Sequence, residues 1–249
     1  MAVWAIADLH LSFGVPNKNM DVFGPQWIDY TKKIENQWKS NIAPSDLVLI
    51  SGDISWAKYP EDAAPDFQWI DQLPGTKILI KGNHDFWWGS LKKLKPIIPK
   101  SCLLLQNNSY QWDDIAIAGA RLWDIPDLSF ADVIDYKKND VVKQLTEKDD
   151  TTDSEIIYKR ELGRLEASLK AMNSNAKIRI AMTHYPPIGV DFTETEASRL
   201  LEKYQVNHCI FGHLHNVKPN LELFGVHNGI HYHLTACDYL KDFKPKKII

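Results

Sequence analysis

No stretch of the sequence stays apolar for the roughly twenty residues that a membrane-spanning helix needs, so no membrane span is expected. Cysteine is scarce. Cys102, Cys209 and Cys237 are odd in number, far apart and without a CxxC pair, which excludes a disulfide framework and a zinc knuckle. They read as reduced thiols of a cytoplasmic protein. An excess of positive charge is also lacking. A formal net charge of −3 gives no reason for attraction to a nucleic-acid backbone or an anionic membrane, so no nucleic-acid partner is expected. Internal repeats and low-complexity linkers are missing, and residues 1–249 read as one domain. There is little room for a cleavable leader. The apolar run Val3–Ala7 starts almost at Met1, so a protein that uses Asp8 and His10 is expected to begin at Met1.

What is present is ordinary in bulk, 44% hydrophobic and 24% charged, and long enough for a sizeable core. Five short apolar runs stand out: AVWAIA, LVLI, KILI, IRIAM and CIF. Each is β-rich and too short for a helix, which suits strands buried on both faces. Between them lie helical stripes, one through Trp27, Tyr30, Ile34 and Trp38, another through Tyr158, Leu162, Leu165, Leu169 and Met172. That alternation predicts an α/β architecture. Leu103–Leu122 reads as consecutive short strands parted by QNNS and WDD turns, and Leu221–Ala236 as a hairpin around HNG. Between Asp127 and Asp153 eight acidic residues meet four lysines, which reads as a solvated insertion or as a lid whose charge disfavours polyanions.

The ends of the five runs carry the chemistry. They finish in Asp8-Leu9-His10, Ser51-Gly52-Asp53, Gly82-Asn83-His84-Asp85, Thr183-His184 and Gly212-His213-Leu214-His215. In open α/β sheets ligands gather beyond the carboxyl ends of the strands, so five such ends would bring these residues together. Asp8 and His10 are two residues apart, as are His213 and His215, and an extended backbone would point each pair one way. Gly52, Gly82 and Gly212 suit a sharp turn or a close backbone approach. Singly, each motif is explained by a turn or a hydrogen-bonded histidine; their joint order is not.

Read in order, D-x-H, G-D, G-N-H-D, H and G-H-x-H resemble the calcineurin-like metallophosphoesterase superfamily, over the span from Asp8 to His215. The resemblance implies a four-layer α-β-β-α sandwich with two mixed β-sheets and a dinuclear metal site at the strand ends. It implies one ion held by Asp8, His10, Asp53 and His215. A second is implied on Asn83, His184 and His213, with Asp53 bridging. Two divalent cations about 3.5–4 Å apart need a shared anion, and a water held between them attacks phosphorus in line. Oxygen and imidazole ligands fit Mn²⁺, Fe or Zn²⁺, with Mn²⁺ expected for activity in vitro. The implied function is hydrolysis of small-molecule phosphate esters, a diester or pyrophosphate in preference to a monoester. A non-catalytic metal-binding scaffold or regulatory module of the same fold is the alternative.

The resemblance casts His84 as the proton donor to the leaving oxygen, against a plainer role behind the ligands. Asp85 either caps a short helix or orients His84. Arg121, in GARLWD, either clamps a phosphate oxygen or forms a surface ion pair. Trp56, Trp87, Trp88 and Trp123 either stack a base or sugar or pack the core. His208, His227, His231 and His233 have no assigned role. GDISWA lacks the second Asp and the Arg of the protein Ser/Thr phosphatases. The acidic balance argues against the DNA-repair nucleases. Class III cyclic-nucleotide phosphodiesterases and UDP-diacylglucosamine pyrophosphatases stay compatible, although the tail KDFKPKKII reads as a solvated terminus before it reads as a membrane element.

Overall fold

The computed structural model describes residues 1–125, 128–135 and 151–249. Most of the acidic stretch 127–153, and with it the choice between insertion and lid, lies outside the described residues. One sheet sets β1 (Val3–Ile6), β2 (Leu47–Ile50), β3 (Thr76–Leu79) and β4 (Cys102–Leu104) in parallel. Its free edge on β1 is closed by β11 (Lys246–Lys247), antiparallel. The other sheet has the order β5 (Ser109–Trp112), β6 (Ile115–Ala120), β7 (Ile178–Thr183), β8 (His208–Phe211), β10 (Ile230–Leu234), β9 (Val226–His227). Its four central strands are parallel and its two edge strands antiparallel.

The five apolar runs form strands because both of their faces are covered. In β1, Val3 and Ala5 face the other sheet, where they meet Ile117, Ile180, Met182 and Ile210. Their neighbours Trp4 and Ile6 face the opposite way, onto Ile34 and Trp38 of α1 (Tyr30–Asn41) and Phe67 and Ile70 of α2 (Pro60–Asp71). The second sheet repeats the pattern. Ala118, Ala181 and Phe211 pack outward on Leu165 and Leu169 of α4 (Thr151–Lys170) and Leu201 of α5 (Glu196–Lys203). A short α3 (Leu91–Leu94) follows the first sheet's GNHD turn. Three apolar layers between helix, sheet, sheet and helix make the expected four-layer sandwich with two mixed sheets. Each fully buried large apolar side chain contributes about 1.5–3 kcal/mol.

Leu103–Leu122 forms the expected consecutive short strands, divided between the sheets: β4 pairs with β3, and the chain crosses after Leu105 to start the other sheet with the antiparallel β5 and β6. Turn signals mark a reversal but not which sheet receives the next strand. Two other expectations need correcting. The tail is not a free solvated end. Lys246 and Lys247 pair with Ala5 and Trp4, and Ile248 packs into the inter-sheet core. Trp27 lies in a 3₁₀ turn ahead of α1, although it is buried as its stripe requires. The hairpin around HNG is present, with Asn228 and Gly229 at φ 47° and 80°, as a tight turn needs.

Candidate metal centre

Parallel strands put their carboxyl ends on one edge of each sheet. The loops after β1, β2 and β3 meet those after β7 and β8 there. Asp8, Asp53 and His184 are buried, His10 nearly so, and Asn83 and His84 are half-buried. Ligand atoms of Asp8, His10 and His215 converge within 4.8 Å of one another, and so do those of Asp8, Asp53 and His184. The Asp53 Oδ2 lies 3.8 Å from His10 Nε2 and 3.5 Å from His184 Nε2, between one histidine of each sheet. His213 stands apart from both groups. Its ring is 5.2 Å from that of His184 and 4.0 Å from that of Tyr185, and its Nε2 is 3.9 Å from Asp124 Oδ1.

The paired side chains do not converge by extended alternation, contrary to the sequence expectation. Asp8, His10, Asp53 and His213 hold left-handed backbones, φ 60°, 44°, 50° and 73°. Hydrogen bonds lock these turns: Asp8 N–H donates to Gly52 O (3.0 Å), His10 N–H to Asp53 O (2.9 Å), and His213 N–H to Asp8 Oδ2 (3.0 Å). Two glycines permit the crowding. A Cβ on Gly82 would collide with the Asp53 amide and carboxylate, and one on Gly212 with the Asp8 carboxylate.

Protonation shows why the cluster fits a cation. His184 Nδ1 lies 3.0 Å from Ser51 O, so Nδ1–H donates and the Nε2 lone pair faces Asn83 Oδ1 at 2.6 Å. Burial pushes the His184 pKa down to about 3, so no proton relieves that contact at neutral pH. On the other side His10 and His215 set their Nε2 atoms 3.1 Å apart, with His10 Nδ1 buried and unpartnered. His215 Nδ1 is 2.8 Å from Asp238 Oδ1, and despite burial this carboxylate and Asp8 lift the His215 pKa to about 10. Burial raises Asp8 well above the usual carboxylate range, and raises Asp53 too. Carboxylates lifted by burial, and a His184 lone pair aimed at the Asn83 oxygen, describe a site that a cation would relieve.

Around this cluster the remaining candidates sort themselves. His84 N–H donates to Asp53 Oδ1 (2.9 Å), and its ring sits 4.6 Å from Trp56 and 5.6 Å from His10. Burial lowers the His84 pKa, against the raising effect of the Asp53 carboxylate. Asp85 neither caps a helix nor touches His84. It accepts from Gly82 N–H (2.7 Å), Ile54 N–H (2.9 Å), Ser55 N–H (3.1 Å) and Trp87 Nε1–H (2.9 Å), tying two loops together. Burial pushes its pKa up to about 7 against those donors. Trp87 is buried against Phe67, while Trp56 stacks on His10 at 4.9 Å. Two residues were missed. Asp238 follows no apolar strand run of the kind that flagged the others, and Trp27 packs edge-on 6.3 Å from His10.

Arg121 reaches Glu161 Oε1 at 3.3 Å and lies over the Trp123 ring at 4.6 Å. It is an ion pair, though not at the surface: the side chain is 14% exposed and that of Glu161 2%. Both line a cavity of about 280 Å³ with Lys81, Trp88, Arg160 and Arg164. Among the described residues no helix is long and apolar enough to cross a membrane. The three cysteines are buried and free.

The profile of the calcineurin-like phosphoesterase family matches residues 1–217. The gene 66 protein of Mycobacterium phage D29 is 34% identical over 85 residues, which span 33% of this chain and 40% of that protein. Phosphopantetheinyl hydrolase from Mycobacterium tuberculosis superposes with a TM-score of 0.59 at 13% identity, over 100% of this chain and 95% of its own. GAP50, the anchor in the inner membrane complex of Plasmodium, superposes with a TM-score of 0.52 at 12% identity, over 96% and 72%. At such identities the likeness to either structure is one of fold.

Proposed function

The chain belongs to the calcineurin-like phosphoesterase family, and from that premise we propose a hydrolase that cleaves a phosphodiester or pyrophosphate of a small molecule in preference to a monoester. Hydrolysis of phosphoester bonds follows from the family; the bond type and the site assignments are our reading. The observation that carries it is the Asp53 carboxylate set between His10 and His184, with His184 Nε2 facing the Asn83 oxygen at 2.6 Å. We assign Asp8, His10, Asp53 and His215 to one divalent ion, and Asn83, His184 and His213 to another, with Asp53 shared. His213 needs a side-chain rotation to join its set. Mn²⁺ is the expected activator, and Fe or Zn²⁺ would also suit these donors. When bound, the ions supply charge neutralisation for the phosphoryl oxygens and a water acidic enough to act as nucleophile near neutral pH.

The chain's own groups then have distinct tasks. Asp238 holds His215 by its Nδ1–H and so aims Nε2 into the centre; Ser51 O does the same for His184. Asn83 contributes a neutral oxygen, which leaves the centre more electrophilic than a further carboxylate would. His84, fixed by its backbone to Asp53 and walled by Trp56, donates its ring N–H to the departing oxygen. Arg121, which lines the neighbouring cavity, binds substrate oxygens. A diester needs room for a group on each side of phosphorus, and the cavity beside Lys81 and Arg121 offers it. The two sheets share one apolar core, which supports reading 1–249 as one domain. The fold also serves an anchor protein, so fold alone does not carry the reading.

Hydrolysis of bis-p-nitrophenyl phosphate and of p-nitrophenyl phosphate, with Mn²⁺ and with EDTA, tests it. Metal-dependent turnover favouring the diester is expected. A metal-loaded protein that turns over neither ester, nor a panel of nucleotides, would leave the scaffold alternative standing.

A further inference from the structure

The cavity beside the candidate centre is cationic out of proportion to the chain. Lys81, Arg121, Arg160 and Arg164 line it against one carboxylate, Glu161, in a protein of net charge −3. All three arginines turn to the same Glu161 Oε1, at 3.3, 3.7 and 2.6 Å. One buried carboxylate cannot neutralise three guanidinium groups. Among the described residues, Lys81 reaches a carbonyl, Trp88 O, at 3.4 Å, and Arg121 Nε is buried without a hydrogen-bond partner. Trp123 beneath the Arg121 plane fixes its fork, the donor geometry that suits phosphate oxygens.

The position is as informative as the charge. Lys81 stands two residues before Asn83, and Arg121 O accepts the His184 N–H at 3.0 Å. Two walls of the cavity are therefore tied through the backbone to Asn83 and His184, one on each sheet. Cavities that take whole small molecules begin at about 300 Å³. At about 280 Å³ this one suits a single group of a larger ligand. We propose that it is a subsite for a second phosphate of the substrate, one that is bound and not cleaved. This rests on the phosphohydrolase reading above and narrows its substrate class to small molecules that carry a further phosphate.

Two measurements on the full chain test it. In metal-free protein held in EDTA, thymidine 5′-monophosphate titrated by calorimetry should bind at least tenfold more tightly to wild type than to an Arg160→Gln/Arg164→Gln variant. Both side chains are 54% and 44% exposed on α4, so the core tolerates their replacement. Equal affinity, or no binding to either protein, overturns the subsite whatever turnover shows. With Mn²⁺ present, the p-nitrophenyl ester of thymidine 5′-monophosphate is compared with the same ester bearing a 3′-phosphate. Wild type should show at least tenfold higher kcat/KM for the 3′-phosphorylated ester, and the ratio should fall toward one in the double variant and in Lys81→Gln. A wild-type ratio near one overturns the subsite and leaves the hydrolase reading intact. Arginine-dependent binding without turnover of either ester does the reverse.

Discussion

Left-handed backbones at Asp8, His10, Asp53 and His213 each cost on the order of 1–3 kcal/mol in a residue that carries a Cβ. They persist because the loops hydrogen-bond to one another across the strand ends, Asp8 to Gly52 and His10 to Asp53. Side chains so fixed can be perturbed one at a time. His84 touches the centre through its backbone N–H, which any residue retains. His84→Ala should therefore bind its metals as wild type does, measured by elemental analysis, while turnover falls about 10²–10⁴-fold. Loss of metal in that variant would make His84 a ligand. Asp238 acts through His215 at 2.8 Å. Asp238→Asn should weaken metal affinity about 10–100-fold, in competition with a chromophoric chelator, because the imidazole loses its orienting charge. Unchanged affinity would reduce Asp238 to a support for Asn216 N–H, which it also accepts at 2.9 Å.

At the scale of elements, the strands that end in the site were legible because apolar runs buried on both faces leave an unbroken signal. Their polar ends stood out against it. Arg160, Glu161 and Arg164 were not legible: they lie on the polar flank of a helix, where charged residues are the rule, and only the fold brings them beside Lys81. β11 was hidden too, since two lysines on an edge strand read as solvated. Next to it lies a group of histidines that sequence left unassigned. His233 on β10 faces His208 Nδ1 at 3.1 Å, with His231 and Lys246 close by. Burial, reinforced by Lys246, His208 and His231, pushes the His233 pKa down to about 3, while the unfolded chain protonates it near 6.5. Between those values the unfolded state binds the extra proton, so stability falls as pH drops through that window. Thermal melts from pH 7 to pH 4 should slope less steeply in His233→Gln than in wild type. Parallel slopes would mean that His233 is protonated in the folded sheet.

Across the whole molecule, the candidate ligands divide between the two sheets. Asp8, His10, Asp53 and Asn83 follow strands of one; His184, His213 and His215 follow strands of the other. Apolar packing already joins the sheets below the strand ends, through Ile78, Ile80, Met182 and Ile210. At the ends themselves, the buried Asp8 and Asp53 carboxylates and the His184 Nε2–Asn83 Oδ1 contact favour a cation between the sheets. A divalent ion there binds the folded protein and not the unfolded chain. It should therefore raise stability with concentration, by about 2.7 kcal/mol at a hundredfold excess over Kd. We expect Mn²⁺ to raise Tm in a concentration-dependent way, with EDTA reversing the rise. His84→Ala should show the full shift and His184→Ala a reduced one, because only the latter removes a contact that crosses the sheets. Identical melts with Mn²⁺ and with EDTA would mean that the two sheets close without a metal, and the ligand assignments would fall with that result.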